Sequence, residues 1–117
     1  MTKDPRPALE DILRSIEWIE KDTKGKTFDS FARDRQARQL VERNVEIVSE
    51  ASRRIPGAMK ADFPGIPWKA IAGVGNVLRH DYEEVAPKVL WDVVREDLKP
   101  LKAAVQKMLR GLADRRP

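Results

Sequence analysis

Residues 7–23 read Pro7-Ala8-Leu9-Glu10-Asp11-Ile12-Leu13-Arg14-Ser15-Ile16-Glu17-Trp18-Ile19-Glu20-Lys21-Asp22-Thr23. Leu9, Ile12, Leu13, Ile16 and Ile19 recur every three or four positions, the spacing that lines side chains along one stripe of an α-helix. Pro5 and Pro7 suit the first turn, where a missing N–H costs nothing. The stretch predicts an amphipathic helix over 7–23, and such a stripe is stable only when other apolar stripes cover it. Trp18 falls on the opposite side at ~100° per residue. It is either exposed, as at a dimer contact, or folded against a neighbouring helix.

The rest of the chain supplies those other stripes. Lys24-Gly25-Lys26 ends the first helix, and Thr27-Phe28-Asp29-Ser30-Phe31 reads as a capped short turn into a second long helix over about 35–55. Ala37, Leu40, Val41, Val48, Ala51 and Ile55 form its predicted buried face. Asn44 falls within that face, while Arg38, Glu42, Glu46 and Arg53 point outward. Pro56, Gly57, Pro64, Gly65 and Pro67 mark a loop with one helical turn near Ala58 to Ala61. Pro67 starts a third helix at Trp68, with Trp68, Ile71, Ala72, Gly75 and Leu78 on one face. Gly73 and Gly75 each cost this helix ~1 kcal/mol of propensity, which points to close helix approach. A last helix begins at Pro87 and carries Leu90, Val94, Leu98, Leu101, Val105, Met108 and Leu112, with Pro100 kinking or restarting it. No segment alternates as a strand does. The expected fold is all-α, an up-and-down four-helix bundle with short additional helical turns.

Composition narrows the function classes. At 117 residues the chain suits one domain. With 41% hydrophobic residues it is too apolar and too well patterned for disorder. No apolar run approaches the ~20 residues of a membrane span, and Met1-Thr2-Lys3-Asp4-Pro5 lacks the apolar region of a secretion signal, so a cytoplasmic protein is expected. The absence of cysteine excludes disulfides, thiolate nucleophiles and cysteine-ligated zinc. No metal-ligand spacing surrounds the one histidine, and no glycine-rich phosphate loop is present, so neither a metal nor a cofactor is expected. A net charge of +4, with Lys107, Arg110, Arg115 and Arg116 near the C-terminus, fits either attraction to RNA or a solvated basic tail.

The proton-transfer chemistry is concentrated in Gly73-Val74-Gly75-Asn76-Val77-Leu78-Arg79-His80-Asp81-Tyr82, which holds the single histidine and the single tyrosine. Histidine alone has an unperturbed pKa near neutrality. In a small bundle it also serves as a packing or surface residue, and both readings apply to His80. On a continuous helix Asn76 lies one turn before His80 on the same side, placed to orient the imidazole or share a phosphate. Arg79 is rotated by ~100°, so the two reach one ligand only at a fraying helix end or across a dimer interface. For RNA cleavage without metal, an imidazole takes the proton from a 2′-hydroxyl or protonates the leaving 5′-oxygen, and a guanidinium neutralises charge on the phosphorane.

The order of features resembles the HepT (DUF86) family of HEPN-domain RNase toxins over nearly the whole length. The matching pieces are Leu9-Glu10-Asp11-Ile12, Ile16-Glu17-Trp18-Ile19-Glu20, the run Val41 to Ala51, Phe63-Pro64-Gly65-Ile66-Pro67-Trp68, Ile71-Ala72-Gly73, Asn76 to Tyr82 and Val89-Leu90-Trp91-Asp92. The resemblance implies a single HEPN-like domain over 1–117, with short flexible tails at 1–5 and 113–117. It further implies a homodimer that brings two copies of the motif around a cleft, and a ribonuclease acting as the toxin of a toxin–antitoxin pair. The implied partner is an MntA-type minimal nucleotidyltransferase that transfers AMP to the motif tyrosine, Tyr82 in this chain. His80 and Tyr82 match the family motif, and His80 with Arg79 and Asn76, the two placed by helix spacing, is the expected catalytic set. The family motif is arginine, four residues, histidine, any residue, tyrosine, and its arginine position falls on Gly75. Arg79 then either supplies the guanidinium from another angle or leaves a degenerate module that only binds the nucleotidyltransferase.

Overall fold

A computed structural model describes residues 4–80 and 86–114, with Arg79 and His80 described by backbone alone. Among the described residues seven α-helices run in chain order: α1 (Arg6–Thr23), α2 (Phe28–Arg33), α3 (Arg35–Ser52), α4 (Gly57–Ala61), α5 (Trp68–His80), α6 (Ala86–Asp92) and α7 (Leu98–Asp114), with a π-helical segment (Val93–Asp97) joining the last two. Arg54, just past α3, reaches Asp11 near the start of α1, and Lys102 of α7 reaches Glu20 near the end of α1. Arg53 and Ser49 of α3 meet Ala72 of α5. Consecutive long helices are therefore antiparallel, and α1 packs on both α3 and α7. The fold is an all-α up-and-down bundle. Among the described residues no helix is long and apolar enough to cross a membrane.

The stripe at 9, 12, 16 and 19 is fully buried. It meets Val41, Val45 and Val48 from α3 and Leu101 and Val105 from α7 in one core. At about 1.5–3 kcal/mol per fully buried aliphatic side chain, this is the main force holding the helices together. Leu40, Val45 and Asn44 on α3 depart from expectation. Leu40 is 45% exposed and Val45 takes its place inside, because the buried row 37, 41, 45, 48 keeps closer to the 3.6-residue period. Asn44, placed within the buried face by its spacing, is only half-buried, and its Nδ2 donates to the Leu40 carbonyl at 3.0 Å. Trp18 is 50% exposed, with the Lys21 ammonium 5.5 Å from its ring.

Helix starts follow the local chemistry. Thr27 and Ser30 form a capping box on α2. Asp34 caps α3, accepting the Ala37 N–H at 3.0 Å and the Lys26 ammonium at 2.9 Å. These donors, the backbone N–H first, hold the Asp34 carboxyl below its ordinary value. A folded-state pKa below the unfolded one gives stability that is present above the unfolded value of about 3.9 and lost as pH falls through the folded one. Asp34→Ala should therefore lower the melting temperature at pH 7, with the gap from wild type closing on acidification below that value. Thermal melts across pH measure both; a gap independent of pH would remove the charge from the account.

Pro100 acts upstream of itself. It has no N–H for the Glu96 carbonyl, and its ring crowds that carbonyl. The chain widens into the π segment, where the Leu98 N–H reaches back five residues to the Val93 carbonyl. The last helix of the sequence reading is thus α6, a π turn and α7.

Candidate active site

Helix α5 carries the motif. Ile71, Val74, Gly75 and Leu78 are buried, whereas Asn76 and Val77 face solvent. Asn76, one turn before His80 along the helix, is exposed. Asp81 and Tyr82 lie outside the described residues, as do the side chains of Arg79 and His80.

Gly75, at the family's arginine position, is buried against α3. Its N–H points to the Ser49 hydroxyl at 3.4 Å, and that hydroxyl donates to the Ala72 carbonyl at 2.9 Å. The same carbonyl accepts Arg53 Nε at 3.2 Å and Nη2 at 2.8 Å. A small polar cleft of about 220 Å³ opens beside Gly75, lined by Arg43, Glu46, Glu50 and Arg53. Close approach thus holds at Gly75. A side chain at Gly73 would meet nothing within 4 Å, so that glycine answers to no packing demand.

The antiparallel register of Ser49 with Ala72 and Gly75 brings the second half of α5 alongside the middle of α3. Between them and α6 lies a groove of about 520 Å³, lined by Arg35, Arg38, Glu42, Leu78, Pro87 and Leu90 among others. Two guanidiniums therefore stand one to two helical turns along from the motif backbone. The Nε of Arg38 is buried and, among the described residues, has no hydrogen-bond partner, a donor that would gain from an incoming acceptor. Glu42 is pushed above its ordinary value, first by burial and then by Glu46, against the opposing pull of Arg38. The sequence reading turned Arg38 and Glu42 outward. The signal for this groove is the spacing Arg35, Arg38, Glu42, which keeps all three along one edge of the α3 stripe.

Comparison with known proteins gives the family of the chain. The family model for Ribonuclease HepT-like proteins matches residues 12–108. The chain belongs to the ribonuclease HepT-like family. It is 38% identical over 108 residues to a protein of Thermococcus cleftensis named "Probable ribonuclease HepT", covering 92% of this chain and 98% of that one. A protein of Caldanaerobacter subterraneus named "Putative RNase" is 32% identical over 108 residues, covering 92% and 96% of the two chains. No solved structure matches. The HepT-like match spans α1 through most of α7, so it includes the motif helix, the opposing face of α3 and the π segment.

Proposed function

We propose that this HepT-like chain is a metal-independent endoribonuclease and the toxin of a toxin–antitoxin pair, working in the cytoplasm. His80 takes the proton from a ribose 2′-hydroxyl, the 2′-oxygen bonds to the adjacent phosphorus, and the 5′-oxygen leaves with a proton returned to it. Arg79 neutralises the phosphorane, and Asn76 orients the imidazole or holds a phosphate oxygen. The observation that carries this reading is Asn76 exposed one turn from His80, on a helix beside a groove that already holds Arg35 and Arg38. Two such faces meet in a homodimer, for which the exposed Val77 and Leu40 offer apolar surface. RNA incubated with the protein and a chelator is expected to be cut; intact RNA under these conditions sinks the proposal.

A nucleotidyltransferase partner neutralises the toxin by AMP transfer. The Tyr82 phenol loses its proton and bonds to the α-phosphorus of ATP, and pyrophosphate leaves. The added phosphate charge repels RNA from the cleft. Intact mass after incubation with the neighbouring nucleotidyltransferase and ATP should rise by one adenylyl group in the wild type and not in Tyr82→Phe. A rise that persists in the variant rejects Tyr82 as the acceptor.

A second reading is favoured by Gly75, buried against Ser49 where the family motif has its arginine, so that this position supplies no guanidinium. A degenerate module that only binds the nucleotidyltransferase would neither cut RNA nor inhibit growth when expressed alone.

A further inference from the structure

A second groove, of about 660 Å³, lies between the end of α1 and the π segment. Its lining includes Lys24, Lys26, Trp91, Arg95 and Lys99. Gly25 turns the loop with φ of 75°, the left-handed region that glycine enters freely, so both flanking lysines face the groove. Trp91, Arg95 and Lys99 come from successive turns spanning the π segment, which Pro100 enforces. Lys26 is neutralised by Asp34 at 2.9 Å, and the one acid in the lining, Glu20, by Lys102 at 2.8 Å. Among the described residues, Lys24, Arg95 and Lys99 form no ion pair. All three are exposed. Three like charges on one concave surface repel one another, and an anionic occupant relieves that repulsion.

We propose that this groove binds the sugar–phosphate backbone of the RNA substrate, away from the bond that is cut. A nucleotide chain presents one charge per residue, which suits cations spread along a groove rather than gathered at a point. Helix α6 borders both grooves, with Pro87 and Leu90 lining the one beside the motif helix and Trp91 lining this one. An RNA strand crossing α6 engages both. Trp91 is held by Phe31 at 5.3 Å between ring centroids and covered by Arg95 at 5.6 Å, so it braces the groove wall. The groove rests on the ribonuclease reading for its ligand, and the test separates the two.

Fluorescence anisotropy with a single-stranded RNA oligonucleotide, on the His80→Ala background to prevent cleavage, reads the groove directly. The triple variant Lys24→Gln, Arg95→Gln, Lys99→Gln should bind at least about tenfold more weakly. Its plot of log affinity against log salt should be shallower by about 2, at ~0.7 per lost phosphate contact on a single strand. Arg14→Gln, Arg54→Gln, Lys69→Gln removes equal charge elsewhere and should change the slope by less than half as much. Lys99→Glu alone should weaken binding in the same direction, and circular dichroism confirms that each variant is folded. Equal slopes for both triple variants, or no RNA binding by the parent protein, overturn the proposal. RNA bound through these residues but never cut overturns the ribonuclease reading and leaves the groove standing. RNA cut with unchanged KM in the triple variant does the reverse.

Discussion

His80→Ala is expected to lose RNA cleavage by about 10²–10⁴-fold, the range in which a positioned general acid or base contributes. The loss should fall on kcat, with RNA affinity changed little, because in the proposed mechanism the proton transfer belongs to the transition state while phosphate binding is shared with Arg35, Arg38, Lys24, Arg95 and Lys99. The pH–rate profile of the wild type should show an inflection in the range where histidine titrates, and that inflection should be missing from the residual activity of His80→Ala. Asn76→Ala should act in the same direction and more weakly, since an orienting amide works through the imidazole. Its side chain faces solvent, so the fold should be unaffected. Single-turnover cleavage assays with chelator present measure each variant. Full cleavage by His80→Ala would reject the assignment.

The largest expected loss of stability is at Phe31. Its side chain is fully buried, and it joins the six-residue helix α2 to α6 through the Trp91 ring, which also meets Phe28 at 6.4 Å. Phe31→Ala removes a large apolar side chain and leaves a cavity that two short helices can only partly close. A cost of about 3–5 kcal/mol follows, together with a fall in melting temperature of about 10–20 °C. Denaturant unfolding measures the first and calorimetry the second. RNA affinity should fall as well, because Trp91 loses the contact that holds it against the wall of the basic groove. A loss below 1 kcal/mol would mean that α2 is not part of the cooperative core.

Much of the fold was legible because helix periodicity is a local property. The stripe from Leu9 to Ile19, the start at Trp68 after Pro67 and the turn at Gly57–Ala61 each depend on residues a few positions apart. The misjudged positions are those where a neighbouring helix decides. Leu40 lies next to the buried row of α3 and is apolar, yet no partner covers it; Val45 is covered and Asn44 is only half so. Arg38 has a marginal place on the α3 wheel, and only the approach of α5 and α6 turns that margin into the wall of a groove.

The sequence by itself determined the family, the all-α bundle and the concentration of proton-transfer chemistry in Asn76 to Tyr82, because motifs and periodicity are written along the chain. Tertiary structure alone decided which cations share a surface. Lys24 and Arg95 are far apart in sequence, and the antiparallel return of the chain, with the π segment that Pro100 forces, brings them to one groove. The same holds at Gly75. In sequence it is a missing arginine, and in the folded protein it is a helix contact against Ser49, since burial depends on what the rest of the chain brings alongside.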